Sequence, residues 1–151
     1  MALRLDRKSL VAFEGRTKGI SARSQPRWGK FRPEQMLAHL HRNLELALGE
    51  FTAPDESTWF RRAVLRPIVF DSGLPWPKGK VQAPDFFLPA PAGEVEDELD
   101  RILPKMVAFA DLVEREPDRV VLSPIFGPAP LKYWSKMVGK HFDHHLRQFG
   151  V

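Results

Sequence analysis

Two histidines four residues apart, His141 and His145, are the side chains whose type and spacing point most directly to chemistry. On a helix such a pair lies one above the other and can share one metal ion. With the surrounding segment wound at about 100° per residue, Leu131, Trp134, Met137, Val138, Phe142 and Phe149 gather on one side. His141 and His145 fall in the middle of that stripe and His144 at its edge, so His141 pairs better with His145 than with His144. A single histidine on an apolar face is ordinarily a core residue with one hydrogen bond. Two in successive turns of one stripe favour a metal, which satisfies both rings at once and leaves each second nitrogen to an outer acceptor.

Two protein ligands hold an ion weakly, so a third must come from elsewhere. The remaining histidines, His39 and His41, lie on one earlier segment. His41 flanks the side formed by Leu37, Leu44 and Leu48, whereas His39 sits with Met36, Asn43 and Leu46 on the other flank. Periodicity does not choose between them. The chain has no cysteine, which excludes disulfides, thiolate zinc sites and a cysteine nucleophile. Any metal must be held by nitrogen and oxygen.

The elements that would position these residues are helical. Arg32 to Leu48 has Pro33 at a first helical position, apolar residues at helical spacing, and Gly49 as a stop. Glu94 to Glu116 opens with acids that favour a helix N-terminus, and Pro104 predicts a bend there or a start in two segments. Leu131 to Phe149 carries the histidine pair. Leu3 to Glu14 reads as a short first helix ended by Gly15. Between the helices Arg32 to Leu48 and Glu94 to Glu116, Phe51 to Pro91 holds seven of the 14 prolines. Such a long irregular connection is uncommon and often functional. Within it Trp59 to Phe70 suits a short helix cut by Pro67, and Trp76, Phe86 and Phe87 would pin the loop to the helices. No strand alternation stands out. The predicted architecture is all-α, a mostly antiparallel four-helix bundle with a long Pro-rich crossover between its second and third helices, forming one domain over residues 1–151.

Composition sets the remaining bounds. A chain of 151 residues, 43% hydrophobic and 28% charged, can bury one continuous core without staples. The absence of a signal-like N-terminus or a bilayer-length apolar run gives a cytoplasmic expectation without membrane attachment. A formal charge of +4 invites a nucleic-acid reading. Its densest clusters, Arg23, Arg27, Lys30 and Arg32, then Arg61, Arg62 and Arg66, are broken by Pro or Trp and followed by acids. They read as solvated surface charge.

The stretch Trp28-Gly29-Lys30-Phe31-Arg32-Pro33-Glu34-Gln35-Met36-Leu37-Ala38-His39-Leu40, together with the ending His141-Phe142-Asp143-His144-His145-Leu146-Arg147-Gln148-Phe149-Gly150, resembles the DinB/YfiT-like superfamily. More narrowly it is similar to an uncharacterised branch with the same ending and a Phe-Gly-Pro turn before the last helix. The resemblance spans roughly the whole chain. It implies a four-helix bundle and a histidine triad, His39, His141 and His145, holding zinc, nickel or a similar ion, and it is the resemblance that selects His39. Pro104 in the third helix and Ser123, where many members of the branch carry histidine, depart from the pattern without touching the triad.

Three neutral imidazoles leave an ion its full charge and an open coordination position, the arrangement of catalytic zinc. The expected function is a metal-dependent enzyme in which a metal-activated thiol or water carries out group transfer or hydrolysis on a small molecule. Superfamily relatives that use small cofactor thiols suggest such a thiol as cosubstrate. Asn43, one turn beyond His39, and Gln148, near the stripe beyond His145, are candidate substrate-binding residues. Asp143 projects away from the triad and is no general base, and Trp134 reads as core. A metal-stabilised interaction protein with no open position and a basic nucleic-acid-binding module are the alternatives. Exposed helix faces are compatible with a homodimer.

Overall fold

The computed structural model describes residues 3–151. It is mostly helical: α1 (Leu10–Lys18), α2 (Pro33–Ala47), α3 (Arg66–Asp71), α4 (Val95–Arg115) and α5 (Leu131–Gln148), with a two-stranded antiparallel sheet of β1 (Val120–Ser123) and β2 (Gly127–Pro130) ahead of α5. Helix α2 packs on both α4 and α5, and α1 closes against α4 and α5. Their shared interior holds Met36, Leu40, Ile102, Phe109, Trp134 and Phe142, each with at most 1% of its surface exposed. Truncating a side chain such as Phe142 in this interior should cost about 3–5 kcal/mol.

The two helices that carry the histidines form where expected. Pro33 starts α2, Gln35 accepts a hydrogen bond from the Arg32 N–H at 3.0 Å, and Gly49 follows the end with a φ of 77° that side chains disfavour. Helix α5 is locked along its length. Trp134 Nε1 donates to the Val121 carbonyl at 3.1 Å, the Leu5 N–H donates to the Ser135 carbonyl at 2.8 Å, and Asp143 pairs with Arg16 and Arg147. Gly139 makes the second of these contacts feasible: a Cβ there would meet the Arg4–Leu5 backbone at 2.6 Å. Asp143 and Trp134 thus have the structural roles expected of them.

Three local expectations are corrected. The first helix begins at Leu10, not Leu3, and runs through Gly15 to Lys18. The Asp6 carboxylate accepts from the Lys8 and Ser9 N–H groups, and Ser9 Oγ donates to the Arg4 carbonyl, so residues 4–9 satisfy their polar groups outside a helix. Gly15 costs the helix about 1 kcal/mol relative to alanine, and burial of Phe13 and Thr17 on either side outweighs it. Of the two alternatives at Pro104 the start in two segments is overturned: α4 is one element across it, and Pro104 lies on the exposed face where water can reach the carbonyl that loses its partner. The sheet was not anticipated because Pro128 and Pro130 argue against a strand. In the observed register the N–H of Leu131 bonds Arg119, and the prolines occupy the alternate positions that face away from the partner strand.

The Pro-rich crossover is ordered against the helices. Residues Arg61–Leu65 wind as a π-helix that continues into α3 with Pro67 in its first turn. The wider winding gives the proline ring room that a regular α-turn would deny it. Phe70 packs edge-on against Trp76 and Phe126, at 5.6 and 5.0 Å, and Asp85–Phe87 forms a single 3₁₀ turn. No helix is long and apolar enough to cross a membrane among the described residues.

Candidate metal centre

Helices α2 and α5 bring His39, His141 and His145 together, each offering one nitrogen, all within 4.8 Å of one another. His39 Nε2 lies 2.9 Å from His141 Nε2, and His145 Nε2 lies 3.1 Å from the same atom. His39 and His145 are buried, at 4% and 8% exposure, and His141 is partly exposed on the side of the adjoining cavity.

The outward-facing nitrogens decide what the inward-facing ones can be. His39 Nδ1 is 2.7 Å from the Phe87 carbonyl oxygen, which only accepts, so this nitrogen carries the proton. His145 Nδ1 is 2.8 Å from Gln148 Oε1, and the Gln148 amide is oriented by its own N–H donation to the Trp28 carbonyl at 2.7 Å. His145 Nδ1 is therefore the protonated nitrogen as well. Both Nε2 atoms are then bare lone pairs aimed at His141 Nε2, which can donate one proton to only one of them. At least one lone pair is left facing another nitrogen at close range. A cation among the three resolves the conflict, and the outer carbonyl and amide partners are the kind that orient metal-ligating histidines.

A shared proton is disfavoured as that cation. Burial pushes His141 and His145 well below the ordinary imidazole value of 6.5, with each further depressed by neighbouring imidazoles. His39 is lowered too, mainly by burial, against an opposing contribution from the Phe87 carbonyl. Neutral imidazoles with inward lone pairs are the state that binds a divalent ion. The three histidines could hold a metal ion.

The other predicted residues divide. Gln148 lines the cavity, with its Oε1 on His145 Nδ1 and its Nε2 donating to the Trp28 carbonyl. Asn43 lines the cavity beside His39, with its Oδ1 buried and unpaired. His144 stays outside the triad, half-buried between Trp28 and Trp76 at ring distances of 5.5 and 5.7 Å. His41 is buried on the other flank of α2 beside Glu45. Ser123 is buried in the cavity wall, its Oγ accepting from the Phe126 N–H.

The crossover and the segment before α2 supply further parts of the site. Trp76 stacks on His141 with ring centroids 5.4 Å apart and planes inclined by 29°, and the Phe87 carbonyl orients His39. Phe31 stacks on His39 at 5.4 Å and meets His145 edge-on. Gly29, at φ 76°, lets the backbone pass close to Gln148, whose Nε2 would lie 2.7 Å from a Cβ there. Backbone carbonyls leave no trace in residue type; the proline density of the crossover was the available signal.

A cavity of about 730 Å³ opens from the triad, walled by Phe70, Trp76, Phe87, Phe126 and Met137. Of the two basic clusters, the first lends Lys30 to the cavity lining, whereas the second does not line it. Arg62 pairs with Asp55 at 2.8 Å, Arg61 donates to the Glu56 carbonyl, and Arg66 donates to Pro128, so the second cluster is used internally. Compared with known proteins, the chain matches no family model, no curated protein and no solved structure.

Proposed function

We propose that this chain is a metal-dependent enzyme of the DinB/YfiT-like kind, a four-helix bundle in which His39, His141 and His145 hold zinc or nickel next to a small-molecule cavity. The observation that carries the reading is the tautomer conflict: two bare Nε2 lone pairs converge on a third imidazole, with no carboxylate or cysteine among the donors. A divalent ion held there would acidify a water or small thiol and supply a nucleophile near neutral pH.

The protein's own groups prepare the ground for group transfer or hydrolysis. Phe87 and Gln148 hold two imidazoles in the metal-binding tautomer, and Trp76 and Phe31 fix ring planes from either side. The aromatic walls keep water scarce and strengthen electrostatic interactions inside. The adjoining cavity favours this reading over a metal-stabilised interaction protein, which needs no space beside its ligands.

Cobalt substitution tests it directly. Because the chain contains no cysteine, a sulfur-to-cobalt charge-transfer band after adding 2-mercaptoethanol to the cobalt protein can arise only from the added thiol. The expected result is stoichiometric cobalt uptake and appearance of that band. Cobalt uptake with a spectrum indifferent to thiol and to azide would refute an open position and leave a structural metal.

A further inference from the structure

The cavity beside the triad has a charged mouth as well as apolar walls. Trp76, Phe70 and Phe126 form a continuous aromatic wall, joined by edge-on contacts at 5.6 and 5.0 Å. At the solvent end, Lys30 lines the opening and the Lys78 ammonium lies 4.6 Å over the ring of Trp28, itself a lining residue. Both lysines are exposed, and neither forms an ion pair among the described residues, although 13 such contacts form elsewhere. Asp85 is the acid among the lining residues, and nearby Asp143 is held by Arg16 and Arg147. The two exposed ammonium groups therefore outnumber the one lining carboxylate, which gives the cleft a positive bias.

We propose that the cavity takes an organic anion, with its apolar body along the Trp76–Phe126 wall and its charged group on Lys30 and Lys78 at the mouth. The inference deepens the metal-site reading by naming the ligand class of the same cavity, whose wall adjoins the histidines where Trp76 stacks on His141. The charge at the mouth belongs to the protein alone, so it can be tested without metal.

Two probes that share an apolar body and differ in charge make the test. In protein treated with EDTA, 8-anilinonaphthalene-1-sulfonate and its uncharged counterpart N-phenyl-1-naphthylamine are titrated by fluorescence. The Lys30→Gln/Lys78→Gln variant should bind the sulfonate roughly tenfold more weakly, the effect expected of two partly exposed ion pairs, and bind the neutral probe unchanged. Trp76→Ala should weaken both probes. Equal loss of both probes in the double lysine variant, or no loss of the sulfonate, would overturn the proposal. Full retention of both probes in Trp76→Ala would do the same. Chelated His145→Ala should retain the charge preference, so a failed metal site and a failed anion site give different results.

Discussion

His39 and His41 stand two residues apart on the same helix, both about equally buried, at 4% and 5% exposure, and both with pKa values lowered chiefly by burial. Their surroundings differ entirely. His39 faces two more imidazoles and has its outer nitrogen fixed by the Phe87 carbonyl. His41 has Glu45 at 3.7 Å, with the charges of Glu98, Arg101 and Lys105 also acting on it. Residue type, burial and helical position do not separate a histidine that could bind a metal with its neighbours from one that could not; the partners on the neighbouring element do. His41 can balance its charge locally against carboxylates. The triad contains no such acid, and its neutrality is what makes it receptive to a cation.

The largest effect that should divide the two histidines' surroundings is on metal affinity. His141→Ala should weaken zinc binding by roughly a hundredfold or more, as removal of one of few first ligands implies. Titration against a competing chelator would measure it, and an unchanged affinity would remove His141 from the site. Next comes Gln148→Leu, which leaves all three ligands but frees the His145 tautomer. A loss of about 10–100-fold in metal affinity is expected, with His41 and its neighbours untouched. If Gln148→Leu instead kept full affinity, the outer hydrogen bond would have no part in preparing the site.

A smaller, structural contrast comes from Gly139→Ala. It should destabilise the fold by about 1–3 kcal/mol through collision with the Arg4–Leu5 backbone, while the metal affinity of folded molecules stays the same. Denaturant titration and zinc competition on the same preparation would separate these two outcomes.

Protons give the finest discrimination. Burial holds His39, His141 and His145 below the ordinary value of 6.5 in the folded chain, so the unfolded chain takes up protons first as pH falls. In chelated protein the stability should therefore be greatest above about pH 6.5 and decline as pH drops toward the folded-state values. His41 contributes to the same slope with a lesser shift. Thermal unfolding between pH 7.5 and 5 should consequently flatten more in His145→Gln than in His41→Gln; the reverse order would contradict the assignment of the stronger burial effect to the triad.

Much of the helical framework was legible because α2 and α5 obey strong local rules: Pro33 and Gly49 bracket one, and an apolar stripe runs along the other. The same stripe placed His141 and His145 on the inner face. His39 was not separable from His41 by periodicity, since the choice depends on α5 and on Phe87, 48 residues further along the chain. The start of α1 was hidden by the hydrogen bonds of Asp6 and Ser9, and the strands by prolines whose alternate placement is harmless only in one register. The hydrogen-bond partners of Gln148, a ring on its own helix and a carbonyl 120 residues away, are tertiary facts that no local pattern carries.

The central claim is that His39, and not His41, completes a three-histidine metal site. Elemental analysis of wild type, His39→Ala and His41→Ala, each purified identically after zinc loading and confirmed folded by circular dichroism, tests it most directly. A site built of His39, His141 and His145 should give one zinc per chain in wild type and His41→Ala and a near-complete loss in His39→Ala. Equal zinc in all three proteins, or a loss confined to His41→Ala, would contradict it.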